Sequence, residues 1–182
     1  FQGYRVHVFL SVRPVVALEH THSAAVSVIA FTVAVQGDLM KARIKWVEEA
    51  TFLGESGSGH AVVMDGPPEN GGRDLGIRPM EMLLIGMGGC TSFDVVMILK
   101  RARQAVTDCV VEVSAERADE VPKVFTSIHV HFIVSGHGLS EKQVARAVQL
   151  SAEKYCSASI MLGKAADITH DYEIIMSGQA EG

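Results

Sequence analysis

The stretch Pro79-Met80-Glu81-Met82-Leu83-Leu84-Ile85-Gly86-Met87-Gly88-Gly89-Cys90-Thr91-Ser92-Phe93-Asp94-Val95-Val96-Met97-Ile98 decides how this chain is read. Proline stands where a helix begins, because its missing N–H costs nothing in the first turn. Leu83, Leu84, Met87, Cys90, Thr91, Asp94, Val95 and Ile98 follow at three- and four-residue spacing, which predicts a helix from Met80 to about Arg103. Gly86, Gly88 and Gly89 lie inside it, each costing about 1 kcal/mol relative to alanine. Such a cluster needs compensation. Small residues let another backbone approach, so a second helix is expected to cross here. Either the crossing is tight packing alone, or it positions Cys90 for chemistry.

Upstream of the helix, Ala42, Ile44 and Trp46 alternate with Lys41, Arg43 and Lys45, the pattern of a half-buried strand. Thr51–Glu55 reads as its continuation. Ser56-Gly57-Ser58-Gly59 is a turn, and His60–Asp65 returns as the second strand of a hairpin. Gly66–Arg78 is a Pro/Gly-rich loop, long enough to suggest function. Downstream, Cys109–Glu116 and Phe125–Val134 read as paired strands joined by a turn containing Pro122. Ser140-Glu141-Lys142-Gln143 matches a capping box, with the Ser hydroxyl on the N3 amide and Gln143 reaching back. Its helix is expected to run to about Cys156. A short helix at Ser159–Ala165 and a strand at Asp167–Met176 complete the order. The fold class is α+β, with helices packed on an antiparallel or mixed sheet.

Residues 1–39 differ in character. Phe1-Gln2-Gly3 looks like a tag remnant, and Met40-Lys41-Ala42 reads like a natural start. Residues 4–39 are taken as an N-terminal extension, with one strand at Ser27–Gln36, and residues 40–182 as the domain. Ala24–Val35 is apolar but too short to span a bilayer, and neither a signal peptide nor a membrane partner is expected. A net charge of −5 argues against nucleic acid as a partner. Three cysteines in 182 residues are too sparse for a disulfide-stapled secreted scaffold, so a cytoplasmic location is expected. They lack CxxC or HxxxH spacing, so no zinc site is expected, and no cofactor either. Cys109, among Val106, Val110 and Val111, reads as core. His129 and His131 share one strand face and read as solvated rather than metal-ligating. Trp46 and Met87 read as core. His60 reads as a turn histidine, and Asp94, one helical turn after Cys90, either as a group that raises that thiol's pKa or as a cap or dimer-contact residue.

Pro79-Met80-Glu81-Met82-Leu83-Leu84 with Gly88-Gly89-Cys90-Thr91 resembles the first-cysteine helix of the OsmC/Ohr family. Ala152-Glu153-Lys154-Tyr155-Cys156-Ser157 resembles its second-cysteine helix. The similarity, nearest to the YhfA-like branch, covers Met40 to about Met176. It implies an OsmC-like fold: a β-hairpin, a long central helix and a second sheet with helices, in an intertwined homodimer. It implies thiol-dependent reduction of organic hydroperoxides, with Cys90 and Cys156 as a catalytic redox pair and an external dithiol, lipoyl-type or small thiol, as reductant. A redox-sensing or ligand-binding member is the other reading. The family's peroxidases carry an Arg–Glu pair beside the reactive cysteine. Arg73, Arg78 and Glu81 are the supporting candidates here, although Met80 holds the position directly after the proline and Glu81 is turned about 100° from it. The expected roles are Cys90 as thiolate, helped by free amides and loop arginines, and Cys156 as resolver among the carbonyls of a helix end.

Overall fold

The computed structural model describes residues 39–177; the strand expected at Ser27–Gln36 lies outside them. Three strands come first: β1 (Ala42–Glu48), β2 (Thr51–Ser56) and β3 (Ala61–Met64), in an antiparallel sheet of that order. The sequence suggested two strands, because nothing between Trp46 and Thr51 signals a turn. The chain nevertheless reverses at Glu49, which adopts φ +42°, and Trp46 Nε1 donates to the Glu49 carbonyl at 2.8 Å. Trp46 is therefore 63% exposed rather than core. The hairpin expected here is the β2–β3 pair, closed by the Ser56–Gly59 turn.

The loop from Asp65 to Arg78 is ordered by one carboxylate. Asp65 is buried and accepts from the backbone amides of Gly66, Arg73 and Leu75 and from the Thr51 hydroxyl. The Leu75 and Arg73 amides are the main reason its pKa lies below the usual carboxylate range. Helix α1 (Pro79–Arg101) begins at the expected proline and runs unbroken through the glycines. Then follow β4 (Ala105–Arg117), β5 (Phe125–His137), α2 (Glu141–Leu150), a single π-helical turn at Ser151–Tyr155, α3 (Ser157–Leu162) and β6 (Asp167–Met176). β5 is central, antiparallel to β4 and parallel to β6. The sheet is thus mixed, and the crossover between its parallel strands carries α2 and α3.

Alternation along β5 sends Ile128, Val130, Phe132 and Val134 to one face, where they meet Met87, Val95 and Leu99 of α1 and Val144, Ala147 and Val148 of α2. Cys109 packs at the edge of this core and Met87 at its centre, as expected. The capping box at Ser140 does not form: its amide donates instead to Gln104 Oε1 at 2.8 Å, and its hydroxyl makes no cap bond. A reciprocal contact of that kind occurs at α1, where Glu81 accepts from the Arg78 amide at 2.9 Å.

The opposite face of β5 carries His129 and His131, with Asp171 of β6 between them. The Asp171 hydrogen bond raises the His131 pKa and lowers that of Asp171. The His131 contribution to stability is fully present below the ordinary imidazole value of 6.5 and fades as pH rises through the raised value. The Asp171 contribution is present above the ordinary carboxylate value of 3.8 and fades as pH falls through the lowered one. Asp171→Asn is therefore expected to lower the His131 pKa in an NMR titration, and an unchanged midpoint would show the pair to be inconsequential.

Candidate active site

The two cysteines meet where α1 faces the end of the π turn. Cys90 and Asp94 are one helical turn apart and share a face. The π turn closes with the Cys156 amide donating to the Ser151 carbonyl at 2.9 Å, one residue wider than an α-helical turn. Cys156 then leaves the helical path at φ −71°, ψ 100° and becomes the N-cap of α3. The two sulfurs and a carboxylate oxygen of Asp94 all lie within 4.8 Å of one another, and both cysteines are free thiols.

Beneath them lies a small polar network. The Thr91 and Ser151 hydroxyls are hydrogen-bonded at 2.7 Å and both residues are buried; the Ser151 hydroxyl also reaches Asp94 Oδ2 at 3.5 Å. Cys156 is fully buried and accepts from the Ser159 amide at 3.4 Å and its hydroxyl at 3.2 Å. Cys90 is half-buried and accepts from the Ala158 amide. Both sulfurs thus receive amide hydrogens from the start of α3. Cysteine is not a usual N-cap, so the sequence suggested a helix end there. The short helix expected at Ser159–Ala165 instead begins two residues earlier, at Ser157, and Cys156 caps it.

Cys156 is at once the C-cap of the π turn and the N-cap of α3, and α1 runs unbroken through the glycines to Cys90. Burial pushes the Cys90 thiol above its ordinary value; the Ala158 amide opposes this, while Cys156 and Asp94 add to it. Asp94 acts in the expected direction. The Cys90 alkylation rate is therefore expected to rise about tenfold per pH unit from 7 to 9, and Asp94→Asn to raise it at pH 7. A plateau below pH 8 in a rate profile would contradict this environment.

Of the supporting candidates, Arg78 and Glu81 lie at the start of α1, well before Cys90, and Arg73 is engaged with Glu48. Arg78 and Glu81 lie twelve and nine residues before Cys90, about 18 and 13 Å along the helix. Arg78 faces Asp74 at 3.9 Å and Glu81 at 3.7 Å, and its Nε is buried without a partner. With Asp65, Leu84, Arg117 and Phe125 it lines a cleft of about 430 Å³. Arg73 pairs with Glu48 of β1, and His60 contacts Ser58 on the same hairpin. The glycines do not mark the crossing of the second cysteine's helix. Gly88 faces Val113 of β4, with a Cβ there 3.3 Å from its methyl, whereas Gly86 and Gly89 face open space.

A mixed sheet carrying a long helix, with two thiols at the junction of helices, defines a two-cysteine α+β protein. The family model for OsmC-like protein matches residues 71–171, and the chain belongs to that family. Protein YhfA of Escherichia coli K12 is 56% identical over 136 residues, which span 75% of this chain and 98% of YhfA. A crystal structure of an Aquifex aeolicus VF5 protein is 28% identical, with a TM-score of 0.69 over 78% of this chain and 99% of that one. The organic hydroperoxide resistance protein OsmC of Legionella pneumophila shares the fold at 15% identity, with a TM-score of 0.59 over 74% of this chain and 96% of its own.

Proposed function

We propose that this protein reduces organic hydroperoxides through Cys90 and Cys156. The observation that carries the reading is two free thiols with their sulfurs within 4.8 Å, the one half-exposed and the other fully buried. Accessibility, rather than a lowered pKa, assigns the roles. The Cys90 thiolate attacks the terminal peroxide oxygen; the O–O bond breaks, the alkoxide takes a proton and leaves as alcohol, and Cys90 becomes a sulfenic acid. The Cys156 thiolate then attacks the Cys90 sulfur, forming the disulfide as hydroxide leaves and is protonated to water. An external dithiol reduces the disulfide by exchange, in a reducing compartment such as the cytoplasm. Resistance proteins named for organic hydroperoxides share this fold, which supports the substrate class. The test is to mix reduced protein with cumene hydroperoxide and weigh it: an intramolecular disulfide, two hydrogens lighter, with one peroxide consumed per chain is expected. A mass unchanged after peroxide treatment would end the reading.

A second reading has its own support. The raised Cys90 pKa and the engagement of Arg73 with Glu48 and of Arg78 with Asp74 and Glu81 favour a redox sensor that oxidises once and turns over slowly. Steady-state consumption with excess dithiol separates the two.

The active form we propose is a homodimer. All seven residues of β1 are exposed, Ile44 and Trp46 among them. No residue of β1, β2 or β3 belongs to the described hydrophobic core. Leu83, Ile85 and Phe93 of α1 are exposed too, beside the open glycines. By length and composition alone α1 could cross a membrane, but Met87, Val95 and Leu99 seat it in the core. A second copy covers the remaining apolar face, over more than about 2,000 Å². Sedimentation at micromolar concentration is expected to give a dimer; a monomer there would refute it.

A further inference from the structure

The group formed by Cys90, Asp94 and Cys156 has a second chemical capacity, one that needs the proximity of the sulfurs but not the peroxide chemistry. We infer that the reduced protein binds one Zn2+ through Cys90 Sγ, Cys156 Sγ and the Asp94 carboxylate, leaving a fourth position open. Tetrahedral zinc holds sulfur at about 2.3 Å and carboxylate oxygen at about 2.0–2.2 Å, which sets such ligand atoms about 3.5–3.8 Å apart. The three atoms here lie within 4.8 Å of one another, so closure onto the ion needs about 1 Å of side-chain movement. The donor set of two thiolates and one carboxylate suits a borderline-soft cation. CxxC spacing is absent because the ligands come from two places in the fold: α1 supplies Cys90 and Asp94, one turn apart, and the π turn delivers Cys156 from 66 residues further on (156 − 90).

The surroundings are those of a supported metal site. The Ser151 hydroxyl contacts Asp94 Oδ2 at 3.5 Å and is itself fixed by Thr91 at 2.7 Å, which orients the carboxylate. Hydrogen bonds from Ser159 to Cys156 and from the Ala158 amide to Cys90 hold both sulfurs in place, and metal binding displaces their protons. Among the described residues no Lys, Arg or His pairs with Asp94. Cys90 and Asp94 are half-buried, so an ion enters from their side and the open position faces that entrance. Bound zinc holds both sulfurs as ligands and so competes with peroxide for them. In the oxidised chain the thiolates have given two electrons to the peroxide, which leaves as alcohol and water with two protons taken up. The disulfide no longer ligates, and Zn2+ departs unchanged in charge.

The test is titration of the reduced, chelator-stripped full chain with Zn2+ against a chromophoric chelator. One equivalent is expected to be lost in Cys90→Ser and in Cys156→Ser, and weakened at least about tenfold in Asp94→Asn, with His131→Ala unchanged. A measurement on the unaltered protein guards against misfolded variants: Cd2+ is expected to give a thiolate-to-metal charge-transfer band that prior alkylation of the thiols removes. No band with the reduced protein, or zinc uptake unchanged in both cysteine variants, would overturn the inference. Disulfide formation with cumene hydroperoxide but no zinc binding would sink this inference alone. Zinc binding without disulfide formation would sink only the peroxidase reading.

Discussion

Cys90→Ser is expected to consume no organic hydroperoxide, whereas Cys156→Ser is expected to consume one equivalent per chain and to stop with a sulfenic acid on Cys90. The first result follows from access. Cys156 is fully buried behind α3, so with Cys90 gone no other thiol of the pair meets the substrate. The second follows from the order of steps: attack by Cys90 needs no partner, but condensation to the disulfide needs the second sulfur. The loss of turnover is complete in both variants and the stoichiometry separates them. A sulfenic-acid probe with peptide mass mapping reads the site. Labelled Cys156 in the Cys90→Ser protein would reverse the assignment.

Phe132→Ala is expected to cost about 3–5 kcal/mol of stability, the usual range for emptying a phenylalanine site in a core. Phe132 is 1% exposed at the centre of β5, the strand that pairs with both neighbours of its sheet and meets both α1 and α2. Packed elements on every side limit collapse into the cavity. Denaturant unfolding at a fixed protein concentration measures the change, and a loss below about 1 kcal/mol would show that the core relaxes around the gap. Because α1 and α2 both rest on this layer, the same variant loosens the positions of Cys90 and Cys156.

The central features were readable because each had a local cause. Pro79 and the apolar spacing behind it marked α1, and alternation from Ile128 to Val134 marked the buried strand. What escaped was set by pairing or by unusual backbone. The reversal at Glu49 carries no Gly, Asn or Pro, so β1 and β2 read as one strand. The capping pattern at Ser140 was genuine in composition but lost to Gln104, a residue 36 positions away. The cysteine pair was visible as a resemblance, yet its chemical surroundings were not. The widened turn at Ser151, the N-cap role of Cys156 and the Thr91–Ser151–Asp94 network depend on contacts between α1 and residues some sixty positions later.

The parallel seating of β6 beside β5 bears on how the molecule comes off the ribosome. Parallel neighbours cannot be joined by a tight turn, so the last strand docks only after the whole crossover, π turn included, has been made. Cys90 emerges 66 residues before Cys156 (156 − 90), an interval of about 3–13 s at ordinary elongation rates. Throughout it the nascent chain carries Cys90 on an apolar helix, with neither the Cys156 sulfur nor the amides of α3 yet made. The site is complete only once the residues following Cys156 have been made, and until then Cys90 stands without the second sulfur.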